Sequence, residues 1–111
     1  MRSIWISGIF LLFISASALG ADLTREQVAE ALARATASQP ADFAGKSLEK
    51  LDLQKFNFTG AKLAGANLFG ANLTDADFTG ADLDGATLLG VKGLDTVKGL
   101  ATALNFDKTI R

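Results

Sequence analysis

The chain has no cysteine, no histidine and no tyrosine, and only one proline, one tryptophan and one methionine in 111 residues. Without cysteine there is no disulfide and no thiol nucleophile; without histidine, the Cys/His zinc sites and the usual neutral-pH general base go as well. A formal net charge of −1 gives no overall field toward nucleic acid or an acidic membrane surface. The phosphate-cradling GxxxxGK[ST], the GxSxG elbow and the HExxH zinc motif do not occur. These absences predict a protein that is not an enzyme and has no cofactor, metal or small-molecule substrate. What is present is 49% apolar residues, the balance of one small globular domain.

The N-terminus reads as an export signal. Arg2 gives a short positive start, and Ile4 to Ile14 is an almost unbroken apolar run. Small residues follow, so that cleavage after Ala18 or after Gly20 satisfies the small-residue rule. The other reading is an uncleaved anchor, although Ile4 to Leu19 spans 16 residues where a membrane span takes about 20. With cleavage, the mature chain of about 91 residues has no membrane association and is expected in the periplasm or secreted, with a thylakoid lumen also open.

Asp22 to Ser38 has helical character. Thr24 and Gln27 have capping-box spacing, and Val28, Ala31, Leu32 and Ala35 share one stripe. Arg25, Glu26, Glu30 and Arg34 occupy the other side. Pro40 is expected to end the helix, because the residue before a proline is pushed out of the helical region.

From Ala41 the chain reads in fives: ADFAG, KSLEK, LDLQK, FNFTG, AKLAG, ANLFG, ANLTD, ADFTG, ADLDG, ATLLG. Every third position is Leu or Phe: Phe43, Leu48, Leu53, Phe58, Leu63, Leu68, Leu73, Phe78, Leu83 and Leu88. A helix cannot hold this period on one face, since members five apart rotate by about 140°. Extended backbone can: first and third residues point one way, second and fourth the other. The fifth, mostly Gly, then turns the corner. The ten Leu and Phe side chains are thus the expected core of a coil stacked at about 4.8 Å per turn.

The run ANLFG-ANLTD-ADFTG-ADLDG resembles the pentapeptide-repeat family, whose motif is A(D/N)LXX. The resemblance covers residues 41 to 90 and is most specific from Ala61 to Gly90. It implies an all-β solenoid, a right-handed quadrilateral β-helix of about 2.5 coils, in which positions twenty apart stack. Some family members resemble DNA and inhibit type II topoisomerases, which is the alternative function. The export signal and short length argue against it here, and no nucleic-acid partner is expected.

The organisation read from these patterns is a signal peptide at 1–20, a capping helix at 21–40, the repeat solenoid at 41–90 and a C-terminal cap at 91–111. In the first coil Lys46, Leu51 and Phe56 stand where Ala is expected, which predicts either a widened end under the helix or a local bulge. After Gly90 the phase of five is lost, and Gly93 falls where a Leu should be. Leu94 to Leu104 reads as a short helix or irregular turns, with Leu104 to Lys108 as one stray extra unit. An uncovered terminal coil is an edge that invites another chain, so good end caps or a homodimer are expected.

Any function lies on the outside. Phe69 and Leu89 occupy outward fourth positions twenty apart. Either the C-terminal segment folds back over them, or they form a patch for an unknown protein partner. Lys46, Lys50, Lys55 and Lys62 lie early, and Asp75, Asp77, Asp82 and Asp84 late. This reads as a solvated surface; a weak cation site among the aspartates lacks the loop that calcium needs. The function expected is a small exported scaffold or protein–protein interaction module.

Overall fold

The computed structural model describes residues 21–111. The expected signal peptide at 1–20, with its cleavage near Ala18 or Gly20, therefore lies outside the described residues. Among these, the regular elements are one α-helix, α1 (Arg25–Arg34), and two 3-10 turns, Leu94–Thr96 and Phe106–Lys108.

The rest of the chain winds back over itself every twenty residues. Isolated parallel bridges join Asp42 to Lys62, Ser47 to Asn67, Asp52 to Asn72 and Asn57 to Asp77, and the same four sides continue upward. On each side the third residue donates its N–H to the second-position carbonyl above, as Leu63 does to Asp82 at 2.8 Å. The second-position N–H bonds the first-position carbonyl below, as Asn67 does to Lys46 at 2.9 Å. The expectation of paired β-strands needs correction: among the described residues there is no extended strand, only one bridged residue per side. The turn consumes the remainder of each unit. Its closing bond runs from the next first-position N–H to the third-position carbonyl, for example Ala71 to Leu68 at 2.9 Å. The fifth residue then needs a positive φ, near +70° at Gly65, Gly70 and Gly85. Lys50, Lys55 and Asp75 adopt the same left-handed conformation without being glycine.

All ten third-position side chains are buried, Leu88 at 4% exposure being the least covered. The alanines Ala61, Ala66, Ala71, Ala76, Ala81 and Ala86 are buried beside them, leaving room for the larger neighbours. Phe58 stacks under Phe78 at 5.0 Å and meets Phe43, on the neighbouring side of the same coil, edge-on at 6.0 Å, so the three rings form one cluster within the core.

The helix covers the lower end. The capping box is made: Thr24 Oγ1 accepts from the Gln27 N–H at 3.1 Å, and Gln27 Oε1 accepts from the Thr24 N–H at 2.9 Å. Val28 is fully buried, while Ala31, Leu32 and Ala35 pack half-buried against the core together with Leu51 and Phe56 of the first coil. The large first-position residues thus meet the helix. Asp22 and Arg25 complete the cover: Asp22 Oδ2 accepts from the Ser47 N–H at 2.8 Å, and Arg25 Nε donates to the Asp52 carbonyl at 2.9 Å. The helix is shorter than the pattern suggests. It ends at Arg34, because Ala35 turns extended and the Thr36 hydroxyl takes the Gln39 N–H at 3.0 Å. Replacing Thr24 with Ala removes the cap and is expected to lower stability by about 1 kcal/mol, read as a reduced urea midpoint at unchanged slope.

The upper end departs most from expectation. Residues 91–111 do not leave the coil; they form one more turn of it. Lys92, Lys98, Leu104 and Ile110 bridge to Asn72, Asp77, Asp82 and Thr87, so the register advances by six residues per side instead of five. The chain repeats as VKGLDT, VKGLAT and ALNFDK. Gly93, Gly99 and Asn105 are left-handed at +76°, +79° and +60°. A turn follows each, and the Thr96 and Thr102 hydroxyls donate back to the carbonyls of Gly93 and Gly99 at 2.7 and 3.0 Å. The extra residue is absorbed in that turn, which is why the ladder continues although the five-residue phase does not. Gly93 is no misplaced core position: the backbone there rests directly on Thr74.

Candidate interaction surface

The second-position residues carry more of the architecture than an outward polar face requires. In Asp42, Asn67, Asn72, Asp77 and Asp82 the side-chain Oδ1 accepts the backbone N–H two residues later at 3.0–3.1 Å. Each such bond satisfies a turn donor that the ladder leaves out. Where the fourth residue is Thr, its hydroxyl bonds the same oxygen, at 2.7 Å for Thr74 and 2.6 Å for Thr79. The Thr79 hydroxyl and N–H hold the Asp77 carboxyl below its usual pKa, with a smaller contribution from the charge of Lys98. The Gln54 amide and N–H do the same for Asp52, with Arg25 helping.

Stacking also redistributes the charges that run in blocks along the chain. Lys62 sits between Asp42 and Asp82 on one side, and Asp77 lies beneath Lys98 on another. Of the four late aspartates, Asp82 lies on the first of those sides and Asp77 on the second, and among the described residues no group of three or more acidic residues is placed to hold a metal ion. Lys55, Asn57, Asp75, Asp77 and Lys98 line an open depression of about 470 Å³ with both signs of charge. A second groove of about 540 Å³ runs between the end of α1 and the first coil, lined by Leu32, Ala35, Pro40, Asn57 and Thr59 among others.

The apolar surface is concentrated elsewhere. Phe69 and Leu89 are 42% and 43% exposed. They stand on adjacent coils, with the Gly70 N–H bonded to the Leu89 carbonyl at 3.0 Å. The Phe69 ring leans up against Gly90, where a Cβ would lie 3.6 Å from its Cε1. The C-terminal segment does not fold back over them, because it is occupied in building the last coil. Instead it adds Ile110, 51% exposed, directly above Thr87 on the same side, and Leu104, 55% exposed, on the adjoining side. Sequence reasoning missed Leu104 and Ile110. The repeated Val-Lys-Gly-Leu six residues apart is the signal that finds them.

Residues 52–90 match the family described as Pentapeptide repeats, in eight copies. This segment is a run of pentapeptide repeats. The match supports the pentapeptide-repeat family for the part of the chain that lays down the regular coils, and such repeats in general form a β-helix solenoid. It stops at Gly90, where the unit lengthens to six residues and the pentapeptide motif ends although the coil goes on. No curated protein and no solved structure gave a match to the chain.

Proposed function

We propose that the chain is an exported, non-enzymatic pentapeptide-repeat module, a right-handed four-sided β-helix that serves as a rigid scaffold for a protein partner. The observation that carries this reading is the strip formed by Phe69, Leu89 and Ile110. Phe69 and Leu89, each more than two-fifths exposed, stand on adjacent coils, and Ile110, 51% exposed, sits above Thr87 on the same side. Contiguous exposed apolar groups on a rigid surface are what protein contacts use. The twenty-residue register supports the four-sided helix. Export with cleavage near Ala18 or Gly20, to the periplasm or the medium, is supported by the apolar run from Ile4 to Ile14 behind Arg2 and the small residues that follow it. Among the described residues, those that cover the lower end begin at Ala21 and Asp22, and either cleavage keeps them on the mature chain.

Cell fractionation with N-terminal determination tests the compartment. The expected form begins at Leu19 or Ala21 and lies outside the cytoplasm; recovery of the uncleaved chain in the cytosol overturns export and favours the DNA-mimicking alternative. Crosslinking in the same cells tests the strip. Phe69→Asp is expected to remove the partner adduct while leaving the melting temperature within about 2–4 °C, as befits an exposed position. Unchanged adducts would reject the strip as the contact.

A further inference from the structure

Stacking gives one side of the coil a charge that residue order hides. The side that carries Phe69, Leu89 and Ile110 is built from residues 46–50, 66–70, 86–90 and 109–111. Its positive side chains are Lys46, Lys50 and Arg111, and its one acid is Glu49. The side before it in each coil is acidic, with Asp42, Asp82, Asp84 and Asp107 against Lys62 and Lys108, and neither of the other two has a positive excess. A net charge of −1 over the whole chain thus conceals one cationic side.

Acids and cations are held differently there. Glu49 Oε2 accepts from the Asn67 amide at 3.0 Å, and Asp22, at the lower edge, accepts from the Ser47 N–H at 2.8 Å. Among the described residues, Lys50 and Arg111 form no ion pair. The Lys50 N–H donates to the Phe69 carbonyl at 2.9 Å, and its stem lies up against Gly70, where a Cβ would come within 3.2 Å of its Cγ. Arg111 follows Ile110 and rests its guanidinium on the Phe106 ring, 4.6 Å from the centroid. The apolar strip therefore lies between two exposed cations, one below and one above.

On the reading of the strip as a protein contact, on which this depends, we infer that its occupant is an acidic segment of another protein. That segment lays apolar side chains on Phe69, Leu89 and Ile110 and sets a carboxylate at each end, against Lys50 and Arg111. Apolar burial supplies the affinity, and the charges at the two ends select the partner. Coils rise by about 4.8 Å each, so the cations stand about 14 Å apart up the side. About ten residues of helix or four of extended chain cover that distance, so the recognised segment is short. A basic or neutral apolar segment is rejected at the ends, because it would cover both cations without pairing them.

The test displays random peptides of about twelve residues on phage, long enough for either conformation, and selects them on the full chain purified as the cell leaves it. Enriched sequences are expected to combine Asp or Glu with large apolar residues. A synthetic peptide of the most enriched sequence is then titrated. Phe69→Asp is expected to abolish its binding, and Lys50→Glu with Arg111→Glu to weaken it about tenfold. Added salt is expected to weaken it as well, since the end charges are exposed. Melting temperatures within about 2–4 °C of the unaltered protein show that the variants are folded. Peptides that need Phe69 but are neutral or basic, or that bind the charge-reversed variant unchanged, would overturn the acidic partner and leave the strip as a contact. Peptides indifferent to Phe69→Asp, or none enriched over that variant, would overturn both. Phe69-dependent binding to phosphatidylglycerol vesicles without peptide binding, or a Phe69-dependent dimer in sedimentation equilibrium, would assign the strip to a lipid surface or a second copy and overturn the proposal.

Discussion

Gly99→Ala is expected to be among the most damaging single substitutions in the protein, although it adds one methyl group near the surface. Gly99 sits at φ +79°, where an L side chain meets its own backbone. A Cβ there would also lie 2.5 Å from the Thr79 nitrogen and 2.6 Å from its Cα, atoms of the coil below that cannot swing aside. The left-handed conformation costs about 1–2 kcal/mol and the overpacking about 1–3 more, so a loss of about 2–5 kcal/mol follows. Gly85→Ala is the internal control. Its φ is +70° and nothing lies within 4 Å of the added carbon, so only the conformational part, about 1–2 kcal/mol, applies. Urea denaturation of both variants measures the difference. Equal losses would mean that the last coil does not rest on Thr79, and the six-residue turn would have to be redrawn.

Phe58→Ala is expected to cost about 3–5 kcal/mol. The ring is fully buried and touches Phe43, Phe56 and Phe78 at centroid distances of 6.0, 6.1 and 5.0 Å. It therefore joins the first coil, the second coil and the residues beneath α1. Truncation leaves a cavity that the walls cannot readily close, because the first coil is pinned by ladder bonds to the coil above. Phe69→Ala removes the same atoms from a side chain that is 42% exposed, and is expected to change stability by no more than about 0.5 kcal/mol. The pair separates core from surface phenylalanine in a single denaturation series. A loss at Phe58 no larger than at Phe69 would place Phe58 outside the core.

The period of five was enough to read which ten side chains point inward, because extended backbone sorts neighbours to alternate sides and a corner residue restores the phase. The helix cap was legible from its own spacing, since Thr24 and Gln27 interact within one turn. The twenty-residue closure, by contrast, came from a family resemblance. Nothing in a run of identical units says how many of them complete a circuit, and the bridges supply that number.

Phe69 and Leu89 were legible as outward positions, but their exposure depended on the path of a segment that follows them by some twenty residues. The last coil escaped notice because a search at one fixed period sees a change from five to six as a loss of order. In space it is no loss, since the sixth residue is taken up within a turn while the bridged residue stays above its partner. The helix boundary at Arg34 likewise depended on Thr36 bonding Gln39 ahead of the proline.

Patterns that repeat along the chain act between neighbours in sequence, so their consequences can be derived from residue order: the inward column, the small alanine slots, the left-handed corners. How many sides close a circuit and where charges of opposite sign meet are set by contacts between residues twenty or more apart. Those contacts exist only once the coils are stacked, and they alone bring Ile110 above Thr87 on the side that carries Phe69 and Leu89.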